Sequence, residues 1–106
     1  MKVLYDLGVG ISHHFSGGVY AKETHIPAGV SLEQHVHSYE HMSVLVSGIV
    51  VLSRDSVDET INAPAILTLS GGVVHKVHAL KDSVWLCIHA TDETDPELVD
   101  SILLEK

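Results

Sequence analysis

Three histidines, His35, His37 and His41, fall within seven positions of this chain, beside Glu40 and between Gly29 and Gly48. A fourth, His75, follows the second glycine-rich stretch, Ser70-Gly71-Gly72-Val73-Val74. On an extended strand, residues two apart project to the same side. His35 and His37 therefore share a face, Val36 takes the other, and His41 keeps their parity. If the strand after Gly71-Gly72 neighbours the His35–His37 strand, four imidazoles can converge. Imidazole suits zinc, copper, iron and nickel, and the order of affinities alone does not choose among them. A lone histidine on a strand is ordinarily structural or solvent-facing. Three at this spacing, with a fourth after a glycine turn, form a metal-binding pattern.

Nine histidines in 106 residues is itself unusual. His25, Tyr39, Glu40 and His89 are the candidates for a supporting group near the site, and Tyr20, Glu23, His25, Tyr39 and His89 are the candidates for a general base. His89 shares strand parity with Trp85 and Cys87, and it enters the interior if that face turns inward. His78 has the opposite parity to His75 and is expected to point out. His13 and His14 lie in a glycine-flanked stretch that reads as a solvated loop. On the segment before the first cluster, Tyr20, Lys22, Thr24 and Ile26 share one face and Ala21, Glu23 and His25 the other. Whichever set turns inward brings polar groups with it.

The elements that must position these residues are short strands. Lys2–Tyr5 reads as a short edge strand, 8–18 as loop with room for a brief extended segment at Ile11–Phe15, and Val19–Ile26 as a strand ended by Pro27-Ala28-Gly29. Leu32–His37, Met42–Val46, Ile49–Ser53, Glu59–Asn62 and Ile66–Leu69 follow, with Arg54–Asp58 as a polar turn. Val73–Leu80 and Val84–Ala90 read as a hairpin across Lys81-Asp82-Ser83. This spacing of short strands and turn signals predicts an all-β sandwich or barrel. One short C-terminal helix is expected, with Asp95 as cap, Pro96 in the first turn, and Leu98, Val99, Ile102 and Leu103 on one face.

The chain length fits a single domain over 1–106. Net charge is −8, and the six Lys and Arg are scattered, which argues against nucleic acid. No segment approaches the run of about 20 apolar residues that a membrane helix needs. Asp6 and Gly8 interrupt the apolar core a signal peptide would have, so a cytoplasmic protein is expected. The one cysteine, Cys87, excludes an intrachain disulfide and reads as a buried thiol.

Residues 29–48 resemble the first motif of the cupins: Gly29, five residues, His35-x-His37, three residues, His41, six residues, Gly48. The core of the second cupin motif is matched at 70–79 by Ser70-Gly71-Gly72-Val73-Val74-His75. There serine replaces the usual proline, and Ala79 stands where asparagine is common. His41 occupies the position usual for glutamate. The resemblance implies an all-β, cupin-type jelly-roll β-barrel with His35, His37, His41 and His75 as ligands to one divalent transition metal (Fe, Mn, Ni, Cu or Zn). It is similar to small single-domain cupins with four-histidine sites, which are often homodimers. An all-neutral ligand set leaves the metal its full positive charge, which favours an anionic small-molecule ligand. Similar cupins suggest a dioxygenase-type enzyme acting on a diketone- or enol-like substrate. The alternatives are a metal-dependent isomerase or lyase, and a non-catalytic module that binds or senses a small acid. A purely structural metal ranks lowest.

Overall fold

The computed structural model describes residues 2–3, 8–33, 40–72 and 74–91. Ten strands form two five-stranded antiparallel sheets: β1 (Lys2–Val3), β2 (Gly10–Ser16), β3 (Val19–Ile26), β4 (Ser31–Glu33), β5 (His41–Ser47), β6 (Ile49–Arg54), β7 (Val57–Asn62), β8 (Ala65–Leu69), β9 (His75–Ala79) and β10 (Ser83–Ala90). The first sheet has the order β1-β4-β9-β6-β7 and the second β2-β3-β10-β5-β8. Two sheets closing face to face bury one side of β3, β5, β6, β9 and β10, which is why their alternating patterns are readable. The expected C-terminal helix falls at 95–103, outside the described residues. Among the described residues no helix is long and apolar enough to cross a membrane.

Three expectations about the elements need correction. Residues 10–16 are more than the brief extended segment allowed for at 11–15 within a loop. They form β2, paired with β3 through seven register partners from Gly10↔His25 to Ser16↔Val19. The glycines that suggested a loop supply the turn, Gly17-Gly18, where both residues have positive φ. Second, β9 and β10 are not a hairpin. β9 pairs with β4 and β6, whereas β10 pairs with β3 and β5. The three residues between them cross from one sheet to the other, held by Leu80 N–H donating to the Ile49 carbonyl at 2.8 Å and Ala28 N–H donating to Asp82 Oδ1 at 2.9 Å. Third, the polar turn at 54–58 shrinks to Asp55-Ser56, both at positive φ, so β7 begins at Val57. The first strand of the histidine cluster is described only to Glu33, and residues 34–37 lie outside the described set.

The core is graded. Leu32, Val50, Leu52, Ile61, Val77 and Ala79 line the inner face of the first sheet, and Ile26, Val30, Leu45, Leu69, Trp85 and Cys87 complete the apolar cluster. The inner face of the second sheet is different, because Tyr20, Lys22, Thr24, His41, Ser43 and His89 are all buried on it.

Candidate functional site

The polar residues gather at one end of the barrel, and a side chain from the first sheet marks that end. Arg54 lies opposite His75 across β6 and β9. Its guanidinium Nη1 donates to the carbonyl of Thr68 at 3.3 Å. Thr68 precedes Leu69, which lies opposite His41 across β8 and β5. His75 of the first sheet and His41 of the second are thus at the same end, and both side chains are buried. β4 runs beside β9, with Glu33 opposite Lys76, one residue from His75. His35 is therefore two residues past a strand end next to His75, and His37 is four before the start of β5 at His41. His35, His37 and Tyr39 themselves lie outside the described residues. Among the described residues no group of three or more His, Cys, Asp or Glu is placed to hold a metal.

Around His41 and His75 the second sheet contributes a ladder of rings. His41 stacks on His89 with centroids 4.9 Å apart, and His89 stacks on Tyr20 at 6.1 Å. Phe15 stacks on the same tyrosine at 5.0 Å. The Tyr20 hydroxyl and His13 Nδ1 share a hydrogen bond of 2.7 Å. His13 is thus a half-buried strand residue at the edge of this ladder, not the solvated loop residue its glycine-rich surroundings suggested. One register step further in, Lys22 and Cys87 pair across β3 and β10, and Cys87 pairs with Ser43 across β5. The Ser43 hydroxyl donates to the Cys87 sulfur at 3.7 Å. Burial pushes the Cys87 thiol up from its usual range, and the Ser43 hydroxyl and Trp85 indole facing it pull only weakly the other way. A neutral, inert thiol results.

The outward parity set is equally informative. His25 does not approach the interior. It is exposed on the outer face of β3, where its Nε2 bonds to Glu23 Oε2, and His14 Nε2 bonds to the other carboxylate oxygen at 3.0 Å. The two imidazoles hold the Glu23 carboxyl below its usual range, His25 more than His14. Strand alternation sends these three outward because Tyr20, Lys22, Thr24 and Ile26 take the inner face. Glu40 is exposed just ahead of β5. His78 turns away from the interior and bonds through Nδ1 to the Ser31 hydroxyl at 2.6 Å. Of the sequence candidates for an acid or base, Tyr20 and His89 are buried on the inner face, and the structure adds His13 as the hydrogen-bond partner of Tyr20. Ser43 was legible only as a residue sharing the parity of His41.

No family model matches this chain, and no curated protein sequence does. Its likeness is to solved structures. A cupin 2 conserved barrel domain protein from Salinispora arenicola CNS-205 superposes with a TM-score of 0.69, covering 99% of this chain and 91% of that one at 15% identity. A cupin superfamily protein from Desulfitobacterium hafniense DCB-2 gives 0.67, covering 79% and 78% at 16% identity. An acetylacetone dioxygenase from Acinetobacter johnsonii gives 0.64, covering 80% of this chain and 61% of its own at 20% identity. At these identities the likeness speaks for the fold. The protein is an all-β, cupin-type jelly-roll barrel.

Proposed function

We propose that His35, His37, His41 and His75 hold one divalent transition metal at the polar end of the barrel, and that the protein is a dioxygenase-type enzyme acting on a small diketone- or enol-like substrate. The observation that carries this reading is the burial of His41 and His75 at one end of the barrel although they come from different sheets. The chain between β4 and β5, which contains His35 and His37, starts beside one and finishes at the other. Two buried imidazoles are a donor set that a divalent transition metal takes. The fold likeness to an acetylacetone dioxygenase, whose substrate is a 1,3-diketone, supports the substrate class.

When bound, the metal supplies Lewis acidity and, if redox-active, a partner for dioxygen. The chain's own residues do the rest. Lys22 places a cationic side chain on the inner face beside the ring ladder, which suits an anionic or enolate ligand. The stacked rings of His89 and Tyr20 hold His41 in orientation. A second reading, a metal-dependent isomerase or lyase, is favoured by one specific contact. Such chemistry needs a dedicated general base, and the Tyr20–His13 pair can hold and pass a proton between Oη and Nδ1.

Metal analysis of protein from native cells and an oxygen-uptake assay with a panel of 1,3-diketones and enols test the proposal together. Wild type is expected to carry about one equivalent of a redox-active metal and to consume oxygen, with uptake abolished in His37→Ala. His35→Ala/His75→Ala protein that retains the wild-type metal content would sink the metal site. Turnover without oxygen uptake that is lost in Tyr20→Phe would establish the isomerase or lyase reading. Tight binding of small acids without turnover would mean a sensing module.

A further inference from the structure

We infer that Tyr20, with His13 as its proton acceptor, is a redox-active tyrosine that receives oxidising equivalents from the polar end of the barrel. The chain has three tyrosines, and Tyr20 is fully buried on the inner face of β3. Removing an electron from a phenol turns its O–H into a very strong acid. In a buried site the electron leaves readily when the proton leaves with it, because a phenol cation there would be an uncompensated charge. His13 meets that need. Its Nδ1 lies 2.7 Å from the Tyr20 hydroxyl, and in the tautomer with its proton on Nε2 it accepts the phenol O–H. The imidazolium formed then sits on β2, an edge strand, where His13 is half-buried and within reach of water.

The ring ladder supplies the path for the electron. Tyr20 stacks on His89 with centroids 6.1 Å apart and rings 20° from parallel, and His89 stacks on His41 at 4.9 Å and 23°. Two ring contacts therefore join Tyr20 to His41. The other oxidisable side chains of the interior are less suited. Trp85 is equally buried, but its indole N–H has no hydrogen-bond partner among the described residues to take a proton. Burial keeps the Cys87 thiol protonated, the form that resists oxidation.

The step balances within the pair. An oxidant takes one electron from Tyr20, and the phenol proton passes to His13 Nδ1, which leaves a neutral phenoxyl radical and an imidazolium. A one-electron reductant in solution reverses both transfers. The native oxidant is a redox-active metal in its oxidised form at the polar end, and this part of the inference rests on the proposed metal site. The Tyr20–His13 chemistry itself does not. Oxidising equivalents drawn to Tyr20 are kept from the imidazoles that would hold the metal.

Flash photolysis of the metal-free protein with a ruthenium tris-bipyridine photo-oxidant and persulfate tests the pair. Wild type is expected to give the electron paramagnetic resonance signal of a neutral tyrosyl radical. Tyr20→Phe, which removes one hydroxyl and leaves Tyr5 and Tyr39 in place, is expected to lose it. His13→Gln can still accept the hydrogen bond but takes no proton. It is expected to slow radical formation by at least about tenfold, with added imidazole restoring the rate. Circular dichroism checks that both variants keep the wild-type fold. An equal radical signal in Tyr20→Phe, a tryptophan radical in wild type, or an unchanged rate in His13→Gln overturns the inference. In metal-loaded protein kept in air, peptide mass spectrometry is expected to find more oxidised histidine at positions 35, 37, 41 and 75 in Tyr20→Phe than in wild type. Equal oxidation in the two overturns the part that Tyr20 plays in protecting the site. Wild type that binds no metal overturns the proposed function alone, because the flash measurement is made on metal-free protein.

Discussion

Gly48 shows what a single residue can be required to do. It lies between β5 and β6 at a φ of +96°, and a Cβ there would stand 2.6 Å from the Asp82 carbonyl oxygen and 2.7 Å from Ser83 Cα. Both neighbours are backbone, so they cannot turn aside. Gly48→Ala is expected to cost about 3 kcal/mol, combining a left-handed backbone with a steric clash. Gly17→Ala, at a φ of +57° with nothing within 4 Å, should cost only about 1 kcal/mol. Urea denaturation of the two variants separates the terms, and equal losses would mean that the crowding at Gly48 is unimportant. Ser47-Gly48 was legible as a turn. The reason it must be glycine was not, because the obstructing atoms belong to Asp82 and Ser83, more than thirty positions away. The same boundary governs the site. Parity grouped His89 with Trp85 and Cys87 and set His78 opposite to His75, being a local property of a strand. It could not decide whether the Tyr20–Lys22 set or the Glu23–His25 set faces in, because both contain charged groups; only the closing of the second sheet over the core does so.

At the scale of the element, β2 is held to β3 by more than its ladder. Glu23 bridges His14 on the neighbouring strand and His25 on its own. Its carboxyl titrates lower in the folded protein than in the unfolded chain, so the stabilisation is present above the unfolded value and is lost as pH falls through the folded one. Melting temperatures of wild type and Glu23→Gln measured across the acid range should differ near neutrality and converge as pH drops below the ordinary carboxylate range. A constant difference would mean that the paired carboxylate contributes nothing to the pH dependence. The group is exposed, so a shift of only a few degrees is expected. This element was the least legible in sequence. Gly10, Ser12, Ser16, Gly17 and Gly18 have local preferences for turn, and seven cross-strand partners on β3 override them. The β9–β10 pair failed in the opposite direction. Two alternating runs separated by Lys81-Asp82-Ser83 have the local pattern of a hairpin, but each finds two partners in a different sheet, and long-range pairing decides.

At the scale of the whole molecule, the proposed ligands would link the two sheets. His75 belongs to the first sheet and His41 to the second, while His35 and His37 lie in the segment connecting them. Near this end, Arg54 reaches across to Thr68 through one neutral acceptor at 3.3 Å, a contact of modest strength. The opposite end is closed by more numerous backbone bonds, Gly29 N–H to the Ala79 carbonyl, Ala79 N–H to Val30, and Leu80 N–H to Ile49. A metal bound at a hundred times its dissociation constant adds about 2.7 kcal/mol to a folded state that alone presents the site. For a domain of about 100 residues that corresponds to a melting temperature raised by roughly 10 °C or more. Calorimetry of metal-loaded wild type before and after chelation should show a drop of that order, and restoring the metal should reverse it. His41→Ala and His75→Ala should each melt at one temperature with or without chelator, because removing a ligand from either sheet breaks the link between them. If chelated and loaded wild type melt together, the four histidines do not join the sheets through a metal, and their burial must be explained by packing against the Tyr20–His89 ladder.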